Sequence, residues 1–155
     1  MPVDLDFLDP ADKPALVAIA SPELLSNARL ALAELDYKPH TARESEDFHA
    51  RFGRIPYQVT ILEDPLSWAA PGENGVLQRL QTMSMALRRH TAIFLIGGRF
   101  TTLDPMQAFQ QSVHAVVNSE DWPNLKQIIR QVVADNIIFL SVYRDAIHRM
   151  TLGKP

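Results

Sequence analysis

Tyr57-Gln58-Val59-Thr60-Ile61-Leu62-Glu63-Asp64-Pro65 is the stretch on which the reading of the fold turns. It has the make-up of a short buried strand and ends abruptly in two carboxylates and a proline. Pro14-Ala15-Leu16-Val17-Ala18-Ile19-Ala20 and Thr91-Ala92-Ile93-Phe94-Leu95-Ile96-Gly97-Gly98 share its character. Each is short, almost continuously apolar, and followed by a turn and a helical pattern. Strands buried on both faces look this way, and they belong to parallel sheets covered by helices. In such sheets ligands and chemistry gather at the strand carboxyl ends, which makes Glu63 and Asp64 the first candidate residues.

A chain of 155 residues, 46% hydrophobic and 21% charged, is of a size to build one domain with its own core. It has no cysteine, which excludes disulfides, thiolate metal sites and a cysteine nucleophile. A net charge of -3 argues against nucleic acid as a general partner, because neutralising phosphates needs a basic face. The start, Met1-Pro2-Val3-Asp4-Leu5-Asp6, is acidic and lacks the basic flank and apolar core of a secretory signal. No run approaches the roughly 18 apolar residues of a membrane span. The expectation is a cytoplasmic domain with no membrane partner.

Taken in order, residues 1–13 read as an acidic leader or linker, and a first strand as Ala15 to Ala20. Ser21-Pro22-Glu23 starts a helix with a cap, a proline at its first position and an acid in its first turn. Leu24, Leu25, Ala28, Leu32 and Leu35 form its apolar face, and Tyr37 to Ala42 a short strand that Pro39 assigns to a sheet edge. Glu44 to Phe52 reads as a helix closed by Gly53, and Gln58 to Leu62 as the third strand. A breaker-rich loop follows through Gly75, then a helix from Val76 to Arg89 with Leu77, Leu80, Met83 or Met85, and Leu87 inward. Arg88-Arg89-His90 suits that helix's carboxyl end. Ala92 to Ile96 is the fourth strand. Asp104-Pro105 starts a short helix with Met106 and Phe109 expected inward, and Val113 to Val117 is the fifth strand.

The last helix is the unusual element. From Glu120, Leu125, Ile128, Ile129, Val132 and Val133 recur at helical spacing, sufficient to cover one side of a sheet. The apolar pattern then continues through Ile137, Ile138, Phe139, Leu140, Val142, Tyr143, Ile147 and Met150. Thirty helical residues would span about 45 Å, more than the width of such a domain. The surplus either folds back as an additional helix or meets another protein. A large apolar patch rimmed by Arg144, Asp145 and Arg149 marks an interface.

Five strands alternating with five helices, the strand Tyr57 to Glu63 ending in an acid, and a short fourth helix resemble the receiver domain of two-component response regulators. The resemblance covers Pro14 to Ala134. The run from Trp122-Pro123-Asn124-Leu125-Lys126 to Phe139-Leu140-Ser141-Val142-Tyr143-Arg144 is also similar to receiver-like domains that accompany zinc-ribbon modules in bacterial proteins. The implied fold is α/β, a flavodoxin- or receiver-like doubly wound five-stranded parallel sheet of order 2-1-3-4-5. The implied domains are 14–134 and an extended carboxyl-terminal helix over 135–155.

A working receiver carries two acids after its first strand and an aspartate after its third, which bind Mg2+. A hydroxyl after the fourth strand and a lysine after the fifth steady the phosphoryl group. The corresponding places here hold Ala20-Ser21-Pro22, Glu63 (or Asp64), Ile96 or Gly97, and Asn118. One or two carboxylates without acidic partners make a poor Mg2+ site. The resemblance therefore implies a pseudo-receiver with a degenerate pocket at Ser21, Gly97 and Asn118, no cofactor and no enzymatic activity. Receiver-like domains commonly pair through their fourth and fifth helices, which implies a homodimer through Ile137, Ile138, Phe139, Leu140, Tyr143 and Ile147, or a signalling partner there. Other readings remain: Glu63 as a mimic of phosphoaspartate, Glu63 or Asp64 as an acceptor, and a small-anion or nucleotide sensor at Ser21, Glu63 and Gly97-Gly98-Arg99. A tight strand-to-loop turn explains those glycines better than an anion cradle does. The five histidines are scattered without metal spacing.

Overall fold

The computed structural model describes residues 11–64, 66, 75–82 and 91–152. Its elements are β1 (Lys13–Ala18), α1 (Pro22–Glu34), β2 (Tyr37–Thr41), α2 (Ser45–Arg54), β3 (Val59–Glu63), α3 (Gly75–Thr82), β4 (Ala92–Gly97), α4 (Pro105–Gln111), β5 (Ala115–Asn118) and α5 (Leu125–Leu152). A 3-10 segment, Ser119–Asn124, leads into α5. The leader 1–10, the breakers 67–74, and the expected inward Met83, Met85 and Leu87 with Arg88-Arg89-His90 lie outside the described residues.

The five strands form one parallel sheet in the order β2-β1-β3-β4-β5, with Ala15 opposite Val59 and Val59 opposite Ala92. The continuous apolar runs have a direct cause. Alternate residues of each central strand enter opposite layers, and both layers are closed. Ala15, Val17, Ile61, Phe94 and Ile96 face α1 and α5, where they meet Leu24, Ala28, Leu32, Leu125 and Ile129. Leu16, Leu62, Ile93 and Leu95 face the other way, against Phe48, Val76, Leu80 and Ala108. Pro39 lies in β2, an edge strand, where its missing N–H breaks no ladder.

Several expectations shift. β1 begins two residues earlier than expected and stops at Ala18, while β3 includes Glu63. Gly53 does not end α2. The helix runs to Arg54, and the Ile55 N–H donates to the Arg51 carbonyl. Asp104 caps α4 as its sequence requires, accepting from the N–H groups of Met106 and Gln107. The inward face of α4 is not that of Met106 and Phe109, however, which are 63% and 80% exposed. Ala108 is the buried residue, in the same layer as Leu95, Phe100 and Val116. β5 starts at Ala115, so His114 precedes it; its Nδ1 accepts from the Ile93 N–H at 2.9 Å. The surplus of the last helix does not fold back. α5 is one helix of 28 residues, about 42 Å long. Among the described residues no helix is long and apolar enough to cross a membrane.

Two threonine hydroxyls meet within the core. Thr60 and Thr91 are both buried and share a hydrogen bond of 2.8 Å between β3 and the start of β4. Thr60→Val alone is expected to cost about 1–3 kcal/mol by stranding the Thr91 hydroxyl, and the double variant Thr60→Val/Thr91→Val less than the sum. Urea unfolding of the two singles and the double measures the coupling.

Candidate functional site

β3 carries Glu63 to the carboxyl end of the sheet, between the ends of β1 and β4. Its side chain turns back towards β1. Glu63 Oε1 accepts hydrogen bonds from the N–H of Ala20 at 2.8 Å and of Ser21 at 3.2 Å, across 43 and 42 residues of sequence. These amides belong to the loop that opens α1, where the first N–H groups of a helix have no intrahelical acceptor and the helix dipole favours negative charge. The additional methylene of glutamate supplies the reach. Ser21 stands at the N-cap in extended conformation, but its side chain makes no cap bond. The Glu63 carboxylate binds instead the two amides just ahead of the helix, those of the N-cap residue and of the residue before it.

Asp64 is engaged elsewhere. Its N–H donates to the Ile96 carbonyl at 2.9 Å, and its Oδ2 accepts from Arg99 Nε at 2.9 Å. The Arg99 guanidinium in turn lies over the Phe100 ring, 4.4 Å from its centroid. The backbone of Asp64 also explains Gly97. A Cβ at Gly97 would stand 2.2 Å from the Asp64 carbonyl oxygen, a collision between main chains that no rotamer relieves. A hydroxyl-bearing residue therefore has no room at Gly97, and the expected tight-turn role of this glycine is a matter of close approach.

Asn118 ends β5 and bonds to groups other than Glu63. Its Oδ1 accepts from the Glu120 N–H at 2.9 Å, capping the 3-10 segment, while Nδ2 donates to the Phe100 carbonyl at 2.8 Å. The Asn118 N–H donates to the Thr102 hydroxyl at 2.9 Å, and that hydroxyl donates to Asp121. The structure thus brings Ser21 and Glu63 together, and joins Gly97 to Asp64 by main-chain contact. Asn118 belongs to a separate network that ties β5 to the loop after β4. Sequence reasoning missed the Ala20 amide, Thr102 and Asp121, whose roles come from contacts between distant segments and carry no local signal.

A shallow pocket of about 330 Å³ opens beside Glu63, lined by Ser21, Glu23, Asn27, Ser119, Glu120 and Trp122 among others. Three carboxylates line it, and none of its described lining residues is basic, which counts against an anionic ligand there. The fit to Mg2+ is equally poor. The end of β1 offers N–H donors where a hard cation needs oxygen ligands. Among the described residues, no three His, Asp or Glu are grouped to hold a metal ion.

The other candidate surface is the far half of α5. Beyond Val133 none of the described side chains of the helix is buried. Ile137, Ile138, Phe139, Val142 and Met150 are each at least 60% exposed and Ile147 is 46% exposed, whereas Leu140 and Tyr143 are half-buried.

No protein-family model matches the sequence, and no curated protein does. Solved structures do match. A CheY-like response regulator receiver domain protein from Methanospirillum hungatei superposes with a TM-score of 0.62 at 13% identity, over 81% of this chain and 97% of that one. The signal receiver domain of an HD domain-containing protein from Pseudomonas fluorescens gives 0.62 at 15%, over 87% and 96%. A yeast Spc42 trimeric coiled-coil segment, amino acids 181–211, fused to another solved structure gives 0.61 at 14%, over 93% and 94%. These likenesses are ones of fold. The chain has the receiver fold, with its helices around a five-stranded parallel sheet and a long last helix.

Glu63→Ala is expected to lower stability by about 1–3 kcal/mol, because two part-buried N–H groups lose their acceptor, while Glu63→Gln retains an acceptor oxygen and costs less. Gly97→Ser is expected to destabilise by at least as much through the Asp64 collision. Denaturant midpoints of the three variants measure both effects.

Proposed function

We propose that this chain is a non-catalytic pseudo-receiver that works as a protein–protein interaction module in bacterial signal transduction, forming a homodimer through its last helix. The observation that carries the reading is the run of exposed apolar side chains on the part of α5 beyond Val133. Covering each such side chain is worth about 1.5–3 kcal/mol when complete, so water is a poor neighbour for six of them in the fourteen residues from Ile137 to Met150. The match to a coiled-coil fusion supports helix-mediated association, since it spans 94% of that chain and so takes in the coiled-coil segment. The engagement of Glu63 with the Ala20 and Ser21 amides supports the absence of phosphotransfer, with its carboxylate held at the head of α1 by two hydrogen bonds.

Light scattering is expected to give twice the chain mass for the full protein, and the chain mass for a version ending at Asp135 that keeps its helical and strand circular dichroism. A full chain that is monomeric at high micromolar concentration would remove the dimer reading. Adding beryllofluoride with Mg2+ is expected to leave the amide resonances of residues 20, 21 and 63 unmoved. Saturable shifts there would show that the pocket still takes a phosphoryl mimic.

A further inference from the structure

Residues seven apart on a straight helix differ by only about 20° in direction. Ile129, Asn136, Tyr143 and Met150 form such a series, and Ile129 is wholly buried under its own sheet. Phe139, Leu140 and Ile147 complete the stripe. It therefore points to the same side of α5 as the domain's core. Asp135 and Asn136 line a groove with His114 and Ala115, at the start of β5, so the helix passes the amino-terminal edge of the sheet at about this level. Beyond it, the stripe faces the space below that edge.

This placement constrains how a second copy can approach. A parallel pairing along the stripe would bring Ile129 of one copy towards Ile129 of the other, and each is already sealed beneath its own strands. A reversed helix meets no such obstacle. It enters from below, its tip stopping near Asn136, and its domain lies beyond the far end. We propose that the stripe is covered by the same stripe of a second copy running antiparallel, an inference that rests on the dimer reading above.

The pattern suits its own reversal. With the two-fold axis at Tyr143, Phe139 comes level with Ile147 of the second copy and Asn136 with its Met150, and no position on the stripe carries a charge. Asn136, the one amide, comes at the end of the seam beside the groove, where water reaches it. Opposed helix dipoles add a small favourable contribution.

Because the chain has no cysteine, single substitutions report this geometry cleanly. Asn136→Cys and Met150→Cys are purified separately, then oxidised alone and after mixing under conditions that permit subunit exchange, with masses followed by light scattering. In the antiparallel dimer like positions lie about 21 Å apart along the axis, too far for a disulfide, whose Cα atoms sit within about 7 Å. The expected result is cross-linked dimer in the mixture and none above background in either variant alone. Efficient cross-linking of Met150→Cys alone in a dimeric protein overturns the antiparallel arrangement and leaves the dimer reading intact. A dimer that cross-links in neither setting places the contact elsewhere and also overturns it. A monomeric mass overturns both.

Discussion

Three strands with no solvent-facing side set the terms for the whole molecule. β1, β3 and β4 send alternate side chains into two closed layers, and every backbone group between them is taken up by parallel ladders. Parallel strands need crossovers, so helices must cover both faces, and the loops after the strands must collect at one end. Pro39 at the β2 edge, the small Ala108 under α4 and the Ser21-Pro22 start of α1 each follow from that arrangement. The sheet leaves chemistry a single place, its carboxyl edge.

At that edge the chain consumes its own polar groups. Glu63 satisfies two amides at the head of α1, Asp64 pairs with Arg99, and Asn118 spans Phe100 and Glu120. Here each is an internal tie between loops, and the main chain at Asp64 fills the space that a side chain at position 97 would need. The edge thus remains an ordered surface whose polar groups stabilise the loops, with an acidic and shallow pocket beside it.

The surplus lies at the opposite end. α5 buries Leu125, Ile128 and Ile129 on the sheet and then continues without a break past the last strand. Helical continuity makes the two halves share one azimuth, so the direction in which the free half presents its stripe is inherited from the core. That inheritance turns a vague apolar excess into a constraint on pairing geometry.

Much of this was legible along the chain. Two-sided burial leaves unbroken apolar runs, caps leave Ser21-Pro22 and Asp104-Pro105, and an edge tolerates Pro39; these are local or periodic signals, and they yielded the sheet and the helices around it. Other features belonged to the tertiary structure alone. Met106 and Phe109 fit an inward helical pattern, yet α4 turns Ala108 inward in their place. Gly53 looked like a helix end, but α2 ran past it. The partner of Glu63 lies 43 residues away, and the obstacle at Gly97 is a carbonyl from another strand's loop. By itself, then, the sequence determined which segments are buried on both faces, because burial is written in each segment's own side chains. Only the tertiary structure decided which polar groups meet and which way α5 faces, because those depend on distances between segments that are far apart along the chain.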